Sequence, residues 1–204
     1  MKKGLLSGLV VVLAGLLTWL LLFWQPQNGH QVPATSSLGI AEAPKGGDFI
    51  LDSYRGQIDT RSLRGQVLIL YFGYTWCPDV CPTSLGFLSA ALDQLSPEEL
   101  QQVQALFISV DPERDSLDHL RSYGEYFHPN LLGITGTHEQ LERVAAMYGA
   151  AYRHVKQESA TDYVVDHSAD LYLVDRQGQL RTTIRHGTQP GEILAAIRAA
   201  LNNN

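Results

Sequence analysis

The chain has 204 residues, a net charge of −6 and two cysteines. This length accommodates one ordinary domain with appendages, and 45% hydrophobic against 18% charged residues is typical of a globular protein, which excludes wholesale disorder. Two cysteines exclude a disulfide-framework protein and a four-thiolate metal site, and 15 basic against 21 acidic residues leave no surplus of positive charge for binding nucleic acid.

The first predicted element is an apolar helix at the N-terminus. Leu5–Trp24 carries no charged residue, and twenty helical residues span about 30 Å, the hydrocarbon thickness of a bilayer. A cleaved signal peptide is the competing interpretation, but the apolar region of a signal peptide is usually shorter. An organellar transit peptide is disfavoured, because Leu5–Trp24 lacks its arginine- and serine-rich pattern. Lys2 and Lys3 precede the helix, which places the N-terminus in the cytoplasm. We therefore expect residues 1–24 to be a single transmembrane anchor in a bacterial inner membrane, with the rest of the chain in the periplasm.

A tether and one domain are predicted to follow the anchor. Residues 25–45 contain three prolines and several small polar residues, which is typical of a flexible tether. Residues 46–201 have the composition of a compact domain, and a domain of this size buries roughly 70% of its unfolded surface. Residues 202–204 are predicted to be a frayed tail.

Strand and helix patterns alternate along this domain. Short continuous apolar runs predict buried strands, and apolar residues at helical spacing predict helices. In chain order we predict strand Val67–Tyr71, helix Pro82–Leu95, strand Ala105–Val110, helix Ser116–Phe127, strand Leu131–Thr135, a helix capped by Thr137 with Gln140 and ending at Tyr148, a hairpin of Leu171–Val174 with Leu180–Arg185, and helix Pro190–Leu201. This order predicts a thioredoxin-like α/β sandwich.

Both cysteines lie between the first predicted strand and the first predicted helix, in the stretch CPDVCP at residues 77–82. If Pro82 is the first helical residue, Cys81 is the N-cap, where the helix dipole lowers the pKa of a thiol. Thiolate is the form that attacks disulfides and binds metals. A structural disulfide is the alternative, but a bridge that closes so short a loop gains little stability. We predict that Cys77 and Cys81 are a functional pair, either redox-active through a disulfide or metal-binding.

His167 is distinguished among the seven histidines by its position. It is predicted in a loop just ahead of a core strand, which a thioredoxin-like layout places near the cysteines. His119 and His138 fall on predicted helix surfaces, where a solvated histidine is usual. Two thiolates and one imidazole suit Cu(I), and Cu(II) with a further ligand, whereas structural zinc requires four ligands. The pattern alone leaves open whether His167 is a ligand.

The stretch FGYTWCPDVCP at residues 72–82 resembles the signature of the Sco/SenC family of membrane-anchored copper proteins. Three further stretches agree in order and spacing: GGDF at residues 46–49, DPERDS at 111–116, and DHS at 166–168 leading into YLVD at 172–175. The resemblance covers residues 46–201. A single anchor followed by a tether is also the layout of the family.

The resemblance implies a thioredoxin-like domain that binds one copper ion, Cu(I) or Cu(II), through Cys77, Cys81 and His167. It implies a role in assembling the CuA centre of cytochrome c oxidase subunit II, as copper donor, as reductant of that subunit's cysteines, or both. The further partners it implies are another periplasmic copper chaperone and a thioredoxin-like reductant.

Several alternatives remain open on the sequence. Asp111 and Asp115 either shape a partner-facing loop or cap the following helix, and Asp166 either orients His167 or is a plain turn residue. A thiol-disulfide oxidoreductase is the rival function, although such enzymes usually have two residues between their cysteines and a facing proline loop, both of which differ here. A redox or copper sensor is the remaining alternative.

Overall fold

The computed structural model describes residues 15–19, 44–156 and 163–202. The chain divides into two compact units, Met1–Glu42 and Ala43–Asn204. Of the first unit only the helical residues 15–19 are described, so most of the predicted anchor and of the predicted tether, as well as the last two residues of the predicted tail, lie outside the described residues. A search of the described ranges finds no helix that is both long and apolar enough to cross a membrane.

A mixed β-sheet forms the centre of the second unit. The strands in the described part of the chain are β1 (Ile50–Ser53), β2 (Gly56–Asp59), β3 (Val67–Gly73), β4 (Val103–Ser109), β5 (Leu131–Thr135), β6 (Tyr152–Lys156), β7 (Tyr163–His167), β8 (Leu171–Val174) and β9 (Leu180–Ile184). Seven of them form one sheet in the order β2-β1-β5-β4-β3-β8-β9, in which β3, β4 and β5 are parallel neighbours. Strands β6 and β7 pair antiparallel as a separate two-stranded ribbon.

Helices cover both faces of the seven-stranded sheet. They are α1 (Val80–Leu92), α2 (Pro97–Leu100), α3 (Leu117–Phe127), α4 (His138–Tyr148) and α5 (Pro190–Asn202), with a 3₁₀ turn at Thr60–Leu63. Side chains of β3 alternate between two apolar cores: Ile69 and Tyr71 belong to the core with α1, α3 and α5, and Leu70 and Phe72 to the core with α4. Burying one large apolar side chain stabilises a fold by about 1.5–3 kcal/mol. Because β3 contributes such side chains to both cores, it packs against the helices on both faces of the sheet.

The predicted thioredoxin-like α/β fold is confirmed. Every predicted strand and helix is present, with ends shifted by a few residues, and the predicted capping box of Thr137 and Gln140 is observed. The sequence patterns did not predict β1, β2, β6, β7 or α2. The four strands among these are short, and most of their side chains are exposed or half-buried, so their sequences show neither a continuous apolar run nor a clear two-residue period.

Candidate metal site

Cys77 and Cys81 lie on the turn that joins β3 to α1. Helix α1 begins at Val80 with Asp79 as its N-cap, so the prediction that Cys81 is the N-cap is wrong. Pro82 occupies the third helical position instead of the first, which a proline tolerates because the N–H groups of the first turn have no intrahelical partner. Cys81 therefore belongs to the first turn of α1, and its side chain is fully buried.

The glycine at the end of β3 makes room for Cys81. A Cβ atom at Gly73 would lie 2.6 Å from Cys81 Sγ and 3.1 Å from the rings of Phe107 and Tyr71. The distance to the sulfur is shorter than real Cβ contacts, so a side chain here would displace the sulfur. The close approach of backbone and sulfur thus requires glycine at this position.

His167 is the last residue of β7, whereas the sequence analysis placed it in a loop. Its Nε2 lies 3.3 Å from Cys81 Sγ, and its Nδ1–H donates to the carbonyl oxygen of Ser168 at 3.0 Å. This hydrogen bond places a proton on Nδ1, so the neutral imidazole carries its lone pair on Nε2, facing the sulfur. The rings of Tyr71 and Tyr74 contact the imidazole edge-on, with centroids 6.2 Å and 5.8 Å away, and restrict its rotation.

The three predicted ligand residues converge on one point. The sulfurs of Cys77 and Cys81 and a ring nitrogen of His167 all lie within 4.8 Å of one another, and both cysteines are free. Among the residues that the structure describes, no other three histidine, cysteine or acidic side chains come as close. Cys81 is buried, and Cys77 and His167 are half-buried, so the cluster reaches solvent through the latter two.

The two sulfurs differ in charge because they share one proton. The hydrogen bond from Cys81 lowers the pKa of Cys77 to about 3; burial opposes this shift, and His167 and backbone N–H groups strengthen it. The pKa of Cys81 is raised, because its proton is held in that hydrogen bond and its side chain is buried. Burial lowers the pKa of His167, but its hydrogen bonds to Cys77 and Ser168 outweigh burial and raise the pKa overall. The pKa of Cys81 is thus raised where the sequence predicted that it is lowered, and it is the pKa of Cys77 that is lowered.

This donor set fits a copper ion better than a zinc ion. Thiolate sulfur is a soft ligand that selects Cu(I), and two sulfurs with one imidazole complete a three-coordinate set. A structural zinc would require a fourth protein ligand. A charged, half-exposed Cys77 beside a protonated Cys81 also fits thiol-disulfide exchange. The geometry therefore supports copper binding and thiol exchange at the same two sulfurs.

Asp115, in the loop between β4 and α3, holds the cysteine turn in place. Its carboxylate accepts hydrogen bonds from the backbone N–H of Thr75 at 2.9 Å, the hydroxyl of Thr75 at 2.6 Å and the hydroxyl of Ser109 at 2.6 Å. Thr75 lies two residues before Cys77. Helix α3 is capped by Ser116, so the proposed capping role of Asp115 is wrong. Asp115 is instead a positioning residue for the turn.

Asp111, in the same loop, holds the ribbon. Its carboxylate accepts a hydrogen bond from the hydroxyl of Tyr163 at 2.6 Å and pairs with Arg114. Arg114 also donates to the backbone carbonyl of Tyr163 at 2.9 Å and lies 3.9 Å from the centroid of its ring. Tyr163 opens β7, and His167 ends it. Asp111 and Asp115 are both buried, so neither carboxylate faces a partner directly, and both instead hold loop segments in place.

The remaining polar candidates lie away from the three ligand atoms. Asp166 pairs with Arg153 across the ribbon at 2.8 Å, while the Nδ1–H of His167 is bonded to Ser168, so Asp166 is not the group that orients the imidazole. His119 is exposed on α3, and His138 is exposed at the start of α4. Neither belongs to the cluster, as the sequence analysis expected.

A family model described as SCO1/SenC matches residues 39–202. The chain belongs to the SCO1/SenC family. It is 41% identical over 182 residues to the mitochondrial SCO2 homolog of Bos taurus, a match that covers 88% of this chain and 68% of the bovine protein. It is 38% identical over 154 residues to the mitochondrial SCO1 homolog of Homo sapiens, covering 74% of this chain and 51% of the human protein.

Solved structures of family members share the fold. ScoI of Bradyrhizobium japonicum, solved with copper bound, has 36% identity and a TM-score of 0.69, covering 76% of this chain and 99% of that one. Yeast Sco1, also solved with copper bound, has 33% identity and a TM-score of 0.69, covering 78% and 89%. The family resemblance read from the sequence motifs is therefore confirmed.

Proposed function

We propose that this chain is a membrane-anchored copper metallochaperone that binds one copper ion through Cys77, Cys81 and His167. The observation that supports this is the convergence of two sulfurs and one imidazole nitrogen within 4.8 Å. Two relatives of the same fold were solved with copper bound. Copper is here a cargo that must both bind and leave. A three-ligand set suits this task because an incoming ligand finds an open position.

Cys77 is the point at which we propose that the cargo enters and leaves. Its sulfur is charged and half-exposed, so it meets an arriving ion before the buried Cys81 does. The lone pair of His167 Nε2 then completes the set from the ribbon side. On departure, a thiolate of the receiving protein replaces Cys77 while Cys81 and His167 still hold the ion. Copper thus passes between proteins by ligand exchange and is never free in solution.

We propose the CuA centre of cytochrome c oxidase subunit II as the destination. Membership of the Sco family supports an oxidase partner, because proteins of this family assist cytochrome c oxidase assembly. A periplasmic copper chaperone would supply the ion. A thioredoxin-like reductant would keep Cys77 and Cys81 reduced, since only free thiols bind the metal and an oxidising compartment favours their disulfide.

We propose that residues 1–24 anchor the chain once in a bacterial inner membrane. Residues 25–45 would serve as a tether, residues 46–201 as the periplasmic copper domain and residues 202–204 as a frayed tail. The uncharged stretch Leu5–Trp24 behind Lys2 and Lys3 supports this topology. A reporter that is active only outside the cytoplasm, fused after Asn204, should be active, and the chain should fractionate with membranes. Recovery of a mature chain that starts near Thr35 would contradict the anchor and support signal cleavage.

Reduction of the oxidase subunit's cysteines is the second candidate function. It is favoured by the pKa of Cys77, about 3, and by the free state of both cysteines. In this reaction the Cys77 thiolate attacks a disulfide sulfur of the partner to form a mixed disulfide. Cys81 then passes its proton to the departing partner thiolate and attacks the Cys77 sulfur of the mixed disulfide, which releases the partner as a dithiol and joins Cys77 and Cys81 in a disulfide.

Anaerobic copper loading of residues 43–204 in the reduced state tests the proposed ligand set. The wild type should bind one copper ion per monomer, and replacing Cys77 or Cys81 with serine should nearly abolish binding. His167→Ala should weaken binding by at least about 10–100-fold, the loss seen when the support of a ligand is removed. His119→Ala is the matched control, since that imidazole lies outside the cluster. Undiminished copper uptake by the double serine variant would refute the site.

His167 also separates the two candidate functions in cells. Thiol exchange needs only the cysteines, whereas stable copper binding needs the imidazole as well. If copper donation is the essential task, cells that carry His167→Ala should lose oxidase activity as a deletion does, with partial rescue by added copper. Wild-type oxidase activity of this variant at low copper would instead establish the reductase.

A further inference from the structure

Trp76 exposes a large apolar side chain next in sequence to Cys77. The residue precedes Cys77, and 60% of its surface is exposed, whereas Tyr74 two residues earlier is buried. Its backbone is not free to move, because Asp115 holds the neighbouring Thr75 by two hydrogen bonds. A rigid, exposed indole loses little conformational entropy when a partner covers it, which favours binding.

A second exposed ring, on the neighbouring helix α3, lies beside Trp76. The imidazole of His119 on α3 lies beside the indole of Trp76, with ring centroids 6.1 Å apart. We define the Trp76 patch as Trp76, Cys77 and His119. A protein that takes copper from this chain must approach through Cys77, because Cys81 is fully buried. Its contact surface therefore meets Trp76 as well.

The charges beside the Trp76 patch are acidic. Asp79 is the N-cap of α1 and Asp118 precedes His119 on α3, and both are exposed. The cation closest in sequence on α3, Arg121, is paired with Glu125 at 2.9 Å. The chain beyond Lys2 and Lys3 has a net charge of −8, that is −6 minus the two lysine charges. An anionic membrane surface would repel such a domain, so these charges favour a partner protein with a basic rim.

We propose that the Trp76 patch is the docking surface for the copper-receiving protein, which binds it with an apolar pocket for the indole, lysine or arginine side chains around that pocket, and its own thiolates facing Cys77. The proposal rests on the copper-donor function above. Tryptophan is among the residues that carry most of the binding energy in protein interfaces, so one side chain should dominate this contact. Asp79 and Asp118 should affect mainly the rate of association.

Copper transfer from the purified full-length chain tests this proposal. The chain is loaded with Cu(I), and the initial rate of transfer is measured against the concentration of the reduced, metal-free CuA domain of subunit II. Trp76→Ala should raise the half-saturating concentration of that acceptor by about tenfold or more, as expected for a dominant interface residue. Trp76→Phe should restore part of the loss. Asp79→Asn with Asp118→Asn should slow transfer at low salt, and this effect should vanish at high salt.

Two controls separate docking from metal binding. Transfer to bicinchoninate, a small Cu(I) chelator that needs no docking surface, should be the same for Trp76→Ala and wild type. Ile50→Ala removes another exposed apolar side chain, on a strand three places from β3 in the sheet, and should leave both transfers unchanged.

Three outcomes would overturn the proposal. Wild-type transfer kinetics of Trp76→Ala with the CuA domain would show that the indole does not dock the acceptor. Unchanged transfer, combined with conversion of a dimer to a monomer in sedimentation, would assign the Trp76 patch to a second copy of this chain. A wild-type chain that gives copper to bicinchoninate but not to the CuA domain would refute the proposed copper-donor function itself, which the first outcome leaves standing.

Discussion

The cysteine turn and the ribbon of β6 and β7 supply ligands to one site from different surroundings. The turn lies between β3 and α1, with Cys81 fully buried and Gly73 packed against its sulfur. The ribbon lies outside the seven-stranded sheet, and most of its described side chains are exposed or half-buried. The core therefore positions the two sulfurs, whereas a few side-chain contacts position the imidazole. Changes in the turn should affect folding and binding together, and changes in the ribbon should affect binding with little effect on folding.

Gly73→Ala should have the largest effect, because it acts on the turn from inside the core. The new methyl group would lie 2.6 Å from Cys81 Sγ, and overpacking of this kind typically costs about 1–3 kcal/mol. We expect a lower urea midpoint and weaker copper binding in chelator competition. Gly86→Ala on α1 is the matched control: its Cβ meets nothing within 4 Å, and alanine is favoured over glycine in a helix by up to about 1 kcal/mol. Equal stability of both variants would show that the turn tolerates movement of the sulfur.

Asp115→Asn should come next, because it weakens the link between the loop and the turn. The carboxylate accepts three hydrogen bonds inside the protein, and an amide in its place has one acceptor oxygen fewer, which costs about 1–3 kcal/mol for a buried group. Urea unfolding should show this loss, and chelator competition should show weaker copper binding. Asp118→Asn, an exposed acid on α3, should change stability by no more than about 0.5 kcal/mol. Wild-type copper affinity of Asp115→Asn would show that Asp115 does not position the cysteine turn for copper binding.

The loop contacts also show which part of the site was accessible from sequence. The apolar runs of β3 and β4 predicted the strands, and the motif at residues 77–82 predicted the functional pair, because both signals lie within a few neighbouring residues. The bonds of Asp115 to Thr75 and of Asp111 to Tyr163 join residues 40 and 52 positions apart. Spacing along the chain carries no information about such pairs, so the sequence left their roles open.

Tyr163→Phe should have a smaller effect, confined to the ribbon. It removes the hydroxyl that donates to Asp111 at 2.6 Å but keeps the ring under Arg114. We expect copper affinity to fall by about tenfold, as for other losses of ligand support, while the rate at which Cys77 reduces a small disulfide stays at the wild-type value. Tyr126→Phe, which alters an exposed ring on α3, should change neither quantity. A parallel fall in both quantities for Tyr163→Phe would show that ribbon and turn respond as one unit.

The ribbon is also among the parts of the fold that the sequence patterns did not predict. Its strands combine exposed charged and aromatic residues without a regular period, because neither face is fully covered. His167 was selected as a candidate by its position ahead of β8. Its place between the rings of Tyr71 and Tyr74 depends on how the ribbon packs on β3, which no local pattern encodes.

The smallest predicted effect is on the pH dependence of the unfolding free energy. It comes from a histidine in the main body of the domain, outside the ribbon. His128, at the end of α3, is buried, and burial lowers its pKa although the charge of Asp93 partly offsets this. The unfolded chain therefore binds this proton more readily than the folded one, so the contribution of His128 to stability is present above pH of about 6.5 and declines as the pH falls below it. Between pH 7.5 and 5.5, wild type should lose more unfolding free energy than His128→Gln. Equal losses of unfolding free energy in wild type and His128→Gln would contradict the lowered pKa of His128.

The alternation of side chains along β3 makes the length of this strand part of the site. Tyr71 and Gly73 face the same core, the first touching the ring of His167 and the second leaving space for the sulfur of Cys81. Adding or deleting one residue between Val67 and Gly73 would turn every later side chain to the opposite face of the sheet. Phe72 after an insertion, or Tyr74 after a deletion, would then lie beneath Cys81, where no side chain fits. We therefore expect β3 to accept insertions or deletions only in pairs of residues.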